Sequence, residues 1–283
     1  MQLRPIHYRQ LVSAALREDL GTGDLTTELL IEGNIRARGT FLAKASGVMA
    51  GMPVALEVFS QLDPEASATV LVAEGSRFHS GQVLATVTAQ ARALLSGERV
   101  ALNFLQRLCG IATATARLVE RANPWGVVVL DTRKTTPGLR VLEKYAVRMG
   151  GGRNHRFGLY DAVLIKDNHI ALAGSVASAV KKVRGRLPHV YRIQVEVRTL
   201  QELEEAIHAG ADLVLLDNMT PDQLREAVRR AKGRVPLEAS GGITVETVEE
   251  VARCGVDFIS SGYITHSAPA VDISLEMQLD TGR

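Results

Sequence analysis

Residues 127–131 read VVVLD, and five further apolar runs of the same kind follow: AVLIK (162–166), IQVEV (193–197), LVLLD (213–217), PLEAS (236–240) and DFIS (257–260). Buried parallel strands read as short continuous apolar runs, and the stretches between these runs have the pattern of crossover helices. We therefore predict six βα units of an α/β barrel. A complete barrel has eight units. The barrel is thus either incomplete, with six to seven strands, or completed by segments whose pattern is not readable.

The residues that end these runs predict a binding site. The carboxyl ends of parallel barrel strands meet at one rim, which is where α/β barrels build their sites. Cationic, acidic and small polar residues lie at or just beyond those ends: Asp131, Arg133, Lys134, Lys166, Glu196, Asp217, Ser240 and Ser260. Because cations and small-residue turns converge there, the rim is expected to bind a polyanion.

The chain before the barrel has a different pattern, which predicts a separate domain. We expect a helix over 8–18, a strand pair within 35–50, a short helix over 52–60, two strands within 68–89, and a long helix over 97–122 that opens at Ser96 and stops before Pro124. The predicted organisation is an N-terminal α/β sandwich over residues 1–108 and a catalytic barrel over 109–267. Residues 268–283 are too polar for a barrel strand and are expected to join the first domain.

Composition excludes several classes of protein. The 283 residues are 46% hydrophobic and 23% charged, as in an ordinary globular enzyme. The net charge is +2 and aromatic residues are 4%, so neither a basic field nor a stacking platform predicts nucleic-acid binding. A run of about 18 apolar residues, as a membrane span requires, does not occur. The first ten residues, MQLRPIHYRQ, have no signal-peptide core, and we predict a cytoplasmic enzyme.

Cys109 and Cys254 are the two cysteines, and both lie in apolar, helix-like surroundings. Buried thiols are expected here in preference to a disulfide or a metal-binding pair, which fits a reducing compartment. No histidine and cysteine have the spacing of a zinc site.

The densest chemistry lies in residues 131–169. Arg133 and Arg156 have the planar forks that bind carboxylates and phosphates in bidentate fashion. Glycines 150–152 form a flexible run between them, Pro137 is expected to start a helix, and His155 is expected to touch the ligand. The alternative is a surface loop whose arginines are solvated.

Lys166 has two interpretations. It follows the apolar run AVLI, so its ammonium is expected at the rim. It could bind an anion, or it could form a Schiff base as in an aldolase, for which desolvation would lower its pKa. The nearby Arg133, Lys134 and Arg156 favour the anion-binding role.

Glu196 and Asp217 end successive strands, whose ends lie about 5 Å apart. Two carboxylates there could hold a Mg²⁺ that arrives with a diphosphate, or accept hydrogen bonds from ribose hydroxyls. The alternative is a pair of rim ion pairs with arginine or lysine. Ser240-Gly241-Gly242 and Ser260-Ser261-Gly262 follow the last two strands, where small residues commonly form a phosphate site.

The chain resembles the quinolinate phosphoribosyltransferases over nearly its whole length. The motifs that carry the resemblance are EDLGTGDLTT (18–27), LLSGERVALNFLQRLCGIAT (94–113), DTRKTTPGLR (131–140), GGGRNHRFGLYDAVLIKDNH (150–169), the glutamate of QVEV, LLDNM (215–219), EASGGI (238–243) and THS (265–267). The long central motif is highly specific. The fold that this family implies is an α/β sandwich followed by an incomplete α/β barrel, in agreement with the six predicted units.

The resemblance also implies a reaction and a site. Members of the family condense quinolinate with 5-phosphoribosyl 1-diphosphate and release CO₂ and diphosphate, which gives nicotinate mononucleotide for NAD biosynthesis. Positions that match the family's quinolinate site are Arg133, His155, Arg156, Lys166 and, from the partner subunit, Arg99. Those that match its phosphoribosyl diphosphate site are Thr132, Lys134, Glu196, Asp217, Ser240, Gly241, Gly242, Ser261, Gly262 and Tyr263, with Mg²⁺ at Glu196 and Asp217. A homodimer with shared sites is implied, and an oligomer of dimers is compatible with it.

Three alternatives remain. The chain could be a paralogue that acts on another pyridine-like or metalated ligand, a Schiff-base aldolase, or a silent ligand-binding relative in transport or regulation. Lys134, Glu196 and Asp217 argue against a silent binder, which has no need of residues on the diphosphate side. Departures from the family are small: Gln194 stands where an acidic residue is common, and Ser261-Gly262-Tyr263 varies a loop that is usually smaller.

Overall fold

The computed structural model describes residues 3–280, which divide into two compact units. The strands are β1 Arg36–Ala43, β2 Gly47–Val48, β3 Ser67–Val70, β4 Arg77–Phe78, β5 Val83–Gln90, β6 Val128–Leu130, β7 Val163–Ile165, β8 Ile193–Val197, β9 Leu213–Asp217, β10 Leu237–Ser240, β11 Phe258–Ser260 and β12 Ile273–Leu279. The α-helices are α1 Arg9–Leu20, α2 Leu25–Leu30, α3 Met52–Leu62, α4 Ala91–Ala122, α5 Arg140–Met149, α6 Asp167–Ala173, α7 Val176–Arg184, α8 Leu200–His208, α9 Pro221–Ala231, α10 Val248–Ala252 and α11 Tyr263–His266.

The first unit is built on a four-stranded antiparallel sheet in the order β12-β1-β5-β3. The C-terminal strand β12 pairs with β1, with Leu275 opposite Phe41, so the prediction that this segment returns to the first domain is confirmed. Both strands expected within 35–50 exist, but the prediction that they pair with each other is wrong. β2 has two residues and pairs with β4, while β1 has β5 and β12 on its two edges.

Helix α4 begins earlier than the sequence predicted. It starts at Ala91, directly after β5, because ARALL (91–95) has high helix propensity and contains no turn residue. Ser96 is therefore not a cap, and its hydroxyl donates a hydrogen bond to Asp24 Oδ2 at 2.9 Å. The helix ends at Ala122, before Pro124, as predicted.

The two units do not follow the predicted boundary at residue 108. The first unit extends to Ala116 and includes 136–151 and the segment from Ala268, while the second consists of 117–135 and 152–267. One reason is that α4 runs without a break through residue 108. The other is Glu143 of α5, which is fully buried and accepts hydrogen bonds from Arg107 Nη2 at 2.9 Å and Thr136 Oγ1 at 2.7 Å. Pro137 lies in the turn before α5 rather than in its first turn, because the helix begins at Arg140.

The second unit contains the parallel sheet that the apolar runs predicted. All six strands are present in the order β6-β11-β10-β9-β8-β7, and every adjacent pair is parallel. β6 and β7 are successive in the chain and lie at opposite edges of the sheet. At its own edge, β6 makes one further parallel bridge, between Leu130 and Arg153. Within the described residues the barrel thus has six strands and is incomplete, as expected. All five residues of β8 are buried, including the polar Gln194 and Glu196.

Both cysteines are buried thiols, as predicted, and neither forms a disulfide among residues 3–280. Burial raises the pKa of Cys109 to about 12. Over the same residues no helix combines the length and the apolar character that a membrane crossing demands.

Candidate active site

A cavity of about 610 Å³ lies at the carboxyl ends of the parallel strands in the second unit. Residues at or just beyond the ends of all six strands line it, so the predicted rim is where the structure forms a pocket. Among them are fourteen residues predicted for the site: Thr132, Arg133, Lys134, His155, Arg156, Lys166, Glu196, Asp217, Ser240, Gly241, Gly242, Ser261, Gly262 and Tyr263. Arg99, which the family resemblance places in a partner's site, is exposed on α4 and is not one of the lining residues.

Arg133 and Arg156 form one cationic side of the cavity. The pKa of Arg156 is lowered because the side chain is partly desolvated and because the Arg133 charge repels its own. Its Nη1 donates to the Ala162 carbonyl at 3.1 Å, which fixes the direction of the fork. Arg156 is half-buried in the cavity wall, so the alternative of a solvated surface loop is wrong for this residue. Two arginines that repel each other gain stability when an anion lies between them.

A buried aspartate shapes the loop that carries these groups. Asp131 is fully buried and accepts hydrogen bonds from His155 N at 2.8 Å and Asn154 Nδ2 at 2.6 Å. Charged acceptors make the stronger class of hydrogen bond. Asp131, which the sequence analysis placed on the rim, therefore positions the Asn154-His155 segment instead of facing the ligand.

His155 is held at both ring nitrogens. The backbone N–H of Arg156 donates to its Nδ1 at 2.8 Å, so Nδ1 carries no proton. Its Nε2 lies 3.0 Å from Gln194 Oε1 and 3.5 Å from Glu238 Oε2. Gln194 Nε2 donates to Glu238 Oε2 at 2.7 Å, which turns the amide oxygen toward the ring. The network thus matches the tautomer with the proton on Nε2.

Glu238 is the buried end of that network. It is 1% exposed, and burial acts to raise its pKa. Hydrogen bonds from His155, Ser260 and Gln194 outweigh burial and hold the pKa of Glu238 below its usual value. An ionised carboxylate therefore lies beneath the cavity, and Gln194 links it to His155.

The carboxylates at the rim are paired with cations. Lys166 Nζ lies 2.5 Å from Glu196 Oε2. Arg198 Nε lies 3.3 Å from Asp217 Oδ2, and its Nη2 lies 2.9 Å from Asp167 Oδ2. The rim ion pairs weighed as an alternative for Glu196 and Asp217 are thus present in the structure. They do not exclude ligand binding, because a polyanion can exchange for the carboxylates around the same cations.

Two glycines shape the turn after β10. Gly241 and Gly242 have φ of 106° and 61°, and a Cβ on Gly241 would lie 2.2 Å from Asn218 Oδ1. Positive φ at successive glycines turns backbone N–H groups toward a common point, which suits an anion. In the neighbouring turn, by contrast, the Ser261 hydroxyl donates to the Ile243 carbonyl at 2.6 Å, and its N–H donates to the Leu130 carbonyl. Ser261 therefore supports the turn with both groups.

Comparison with known proteins identifies the family. Residues 24–109 match the family model described as "Quinolinate phosphoribosyl transferase, N-terminal domain", and residues 111–276 match the corresponding C-terminal domain. A Bacillus subtilis (strain 168) protein named "Probable nicotinate-nucleotide pyrophosphorylase (carboxylating)" is 45% identical over 274 residues, which cover 97% of this chain and 94% of that protein.

The chain belongs to the quinolinate phosphoribosyltransferase family.

Solved structures of similar proteins have the same fold as this quinolinate phosphoribosyltransferase. NadC from Streptococcus pyogenes has a TM-score of 0.95 and 42% identity, with 99% of each chain covered. The nicotinate-nucleotide pyrophosphorylase from Francisella tularensis has a TM-score of 0.94 and 40% identity, with 98% of each chain covered. The predicted family, fold class and enzyme class are confirmed: the chain is a phosphoribosyltransferase, which is a type of glycosyltransferase.

Sequence reasoning did not assign several residues that line the cavity of this phosphoribosyltransferase, among them Arg198, Glu238, Thr244 and His266. Glu238 lies inside the run PLEAS and reads as part of a strand. Arg198 follows a strand, but a single charged residue in such a position is usually solvated. His266 belongs to the THS motif and could have been found there, since that motif carried part of the resemblance.

Proposed function

We propose that the 610 Å³ cavity binds quinolinate and 5-phosphoribosyl 1-diphosphate together. The enzyme then transfers the phosphoribosyl group to quinolinate with loss of CO₂, which gives nicotinate mononucleotide and diphosphate for NAD biosynthesis. One observation carries the proposal: the same cavity contains a cationic side at Arg133 and Arg156, two rim carboxylates, and a glycine turn of positive φ. A dianionic acceptor and a phosphorylated donor need these features side by side.

On the quinolinate side, Arg133, Arg156 and Lys166 are proposed to bind the two adjacent carboxylates. Fixing a planar dianion by two edges directs its ring nitrogen, which must face C1 of the ribose for reaction. Lys166 is already held by Glu196 at 2.5 Å. An ammonium in an ion pair differs from the free amine that an imine requires, which favours the anion-binding role over the aldolase alternative.

On the phosphoribosyl side, Lys134 and the turn at Gly241 and Gly242 are proposed to bind phosphate groups. Carboxylates of glutamate and aspartate suit Mg²⁺, which is commonly bound by one or two carboxylates together with substrate phosphates. Glu196 and Asp217 supply two such groups, whereas no cluster of three or more metal-binding side chains occurs in residues 3–280. The two carboxylates would therefore share the ion with the diphosphate. When bound, Mg²⁺ neutralises diphosphate charge and assists its departure.

The reaction then balances without a protein base. The ring nitrogen forms a bond to C1 as the bond from C1 to the diphosphate oxygen breaks, through an oxocarbenium-like transition state that nearby carboxylates stabilise. The bond from C2 to its carboxylate breaks next and releases CO₂. The electron pair left on C2 is stabilised by the adjacent pyridinium nitrogen until a proton from water adds.

The proposal includes a homodimer in which Arg99 completes the partner's quinolinate site. Arg99 is exposed and does not line the cavity, which is compatible with such a role. Assembly of dimers into a larger oligomer stays a prediction, as does a cytoplasmic location. Small molecules, rather than nucleic acid or a membrane, are the proposed ligands.

The carboxylate clamp predicts a strong preference for quinolinate over nicotinate, which has one carboxylate. Removing one partner of a desolvated, hydrogen-bonded charge pair costs about 2–5 kcal/mol. We expect calorimetry to give a dissociation constant at least about 30-fold lower for quinolinate, as about 2 kcal/mol corresponds to that ratio.

Arg156→Ala tests the clamp further. In this variant, the dissociation constant for quinolinate should rise more than that for nicotinate, so the preference for quinolinate should shrink. Equal affinities of the unaltered enzyme for quinolinate and nicotinate would show that the cations do not form a two-carboxylate clamp. That result would favour a paralogue with another ligand.

A further inference from the structure

Arg198 is a cavity-lining cation that neither the sequence nor the family resemblance assigned to the site. It follows β8 directly and precedes α8, and its backbone N–H donates to Glu202 Oε2 at 2.8 Å. Thr199 caps that helix by accepting from Glu202 N, so the backbone on both sides is fixed. The position of the arginine at the edge of the cavity is therefore set by the fold, although its side chain is 58% exposed.

Two carboxylates hold the guanidinium in one orientation. Asp217 Oδ2 lies 3.3 Å from Nε, and Asp167 Oδ2 lies 2.9 Å from Nη2. Asp217 is itself oriented by Asn218 Nδ2, which donates to its Oδ1 at 3.0 Å. These contacts raise the pKa of Arg198, with the hydrogen bond to Asp217 as the largest cause.

The held guanidinium retains donors for a ligand. Arginine has five N–H donors in a planar fork, and the two ion pairs engage Nε and one Nη2 hydrogen. An oxyanion can therefore bind the same group while Asp217 keeps its contact. Such a site is pre-organised, because the side chain loses little further freedom when the anion arrives.

Its neighbours decide which anion this cation would meet. Arg198 is joined to Asp217, which lies with Glu196 on the side proposed for the metal and the diphosphate. The quinolinate side is defined by Arg133 and Arg156, which are close enough for one charge to shift the pKa of the other. On the proposed function, on which this inference rests, Arg198 is on the diphosphate side.

We propose that Arg198 is an additional diphosphate-binding residue of this enzyme, held in place by Asp167 and Asp217. Its fork donates to an oxygen of the diphosphate in 5-phosphoribosyl 1-diphosphate and remains with the diphosphate as it leaves C1. Arg198 thus completes the charge balance of a site in which Asp217 would otherwise repel the incoming polyanion.

Binding of two probes to Arg198→Ala and Arg198→Lys tests this. Inorganic diphosphate and 5-phosphoribosyl 1-diphosphate, each with Mg²⁺, should bind Arg198→Ala about 10- to 100-fold more weakly, as expected when a charged hydrogen bond is lost. Arg198→Lys should fall between, because it keeps the charge and loses the fork. Quinolinate affinity should change less than about twofold.

A matched control separates this role from a merely structural ion pair. Arg184 makes a similar ion pair with Asp212 at 2.7 Å and does not line the cavity, so Arg184→Ala should leave all three affinities unchanged. Thermal unfolding of each variant shows whether it is folded, and Arg198→Lys keeps the test valid if Arg198→Ala is not. If Arg198 had only a structural role, lysine would replace it equally well and the variants would bind diphosphate with unaltered affinity.

Three results have different meanings. Unchanged diphosphate affinity in folded Arg198→Ala and Arg198→Lys overturns the inference. Tighter binding, or a lower Mg²⁺ requirement, also overturns it, since Arg198 would then compete with the metal for Asp217. Failure of the unaltered enzyme to bind either diphosphate probe contradicts the proposed function itself, which distinguishes the two failures.

Discussion

Lys166→Ala is expected to lower kcat/KM by about 10-fold to about 100-fold. A hydrogen bond to a charged group is worth about 1.5–3 kcal/mol, and solvent screening of the 44% exposed lysine side chain keeps the loss below the top of that range. The substitution removes a cation from the quinolinate side and leaves Glu196, which is 9% exposed, without its partner at 2.5 Å. Lys166→Arg should retain part of the activity, since it restores the charge with a different shape. Steady-state kinetics with both substrates varied would measure the loss.

The control for Lys166 is Lys181→Ala, which alters an exposed lysine of α7 outside the cavity and should leave kcat/KM unchanged. Borohydride reduction in the presence of substrate provides a second readout. Trapping of a covalent adduct at Lys166 would contradict the anion-binding role and support the Schiff-base alternative, because an imine requires that lysine as nucleophile.

Arg99→Ala and Lys134→Ala are each expected to inactivate the enzyme, and mixing the two inactive proteins is expected to restore about a quarter of the activity. In the proposed dimer, Arg99 serves the partner's site and Lys134 its own. One site of a mixed dimer then receives both defects and the other receives neither. Random exchange makes about half of the dimers mixed, and each has one intact site of two.

Subunit exchange must be verified for this experiment, for example by native mass spectrometry of two tagged variants. A matched control is the mixture of Lys134→Ala with Lys166→Ala. Both residues line the cavity of their own chain, so each site in a mixed dimer keeps one defect and no activity should return. Complete exchange of Arg99→Ala with Lys134→Ala and no recovery would contradict the shared site.

The barrel half could be predicted closely because its strands are buried on both faces. β9, with the sequence LVLLD, is buried at its three central positions and is apolar up to its last residue, and this made the run visible. The first unit was harder. Its strands have mixed burial, and which strand pairs with which depends on contacts between distant segments, such as Phe41 with Leu275.

The site was predictable where residues follow strands and less so where they lie within them. Arg133, Lys166 and Asp217 all project from strand ends, and parallel topology alone brings such residues together. Glu238 is inside β10, and it contacts His155 both directly and through the amide of Gln194. That network requires three-dimensional distances, which neither spacing nor composition contains. Asp131 also ends a strand, yet its contacts with Asn154 and His155 make it a positioning group.

Helix boundaries show the same limit on a smaller scale. Ser96 has the residue type of a cap, but β5 continues into α4 five residues earlier, and the serine hydroxyl contacts Asp24 instead. Pro137 likewise has the type of a first-turn residue and lies in the preceding turn. In both cases the neighbouring elements, rather than the local residue type, determine where the helix begins.

The central claim is that this cavity joins quinolinate to a phosphoribosyl group with decarboxylation. The most direct measurement is to incubate the purified chain with quinolinate carrying ¹³C in its 2-carboxylate, 5-phosphoribosyl 1-diphosphate and Mg²⁺, and to follow the products by mass spectrometry. The account predicts unlabelled nicotinate mononucleotide and labelled CO₂ in equal amounts, with neither formed by the Lys134→Ala control. If the chain remains folded and binds both substrates but forms no nicotinate mononucleotide from quinolinate, the account is contradicted.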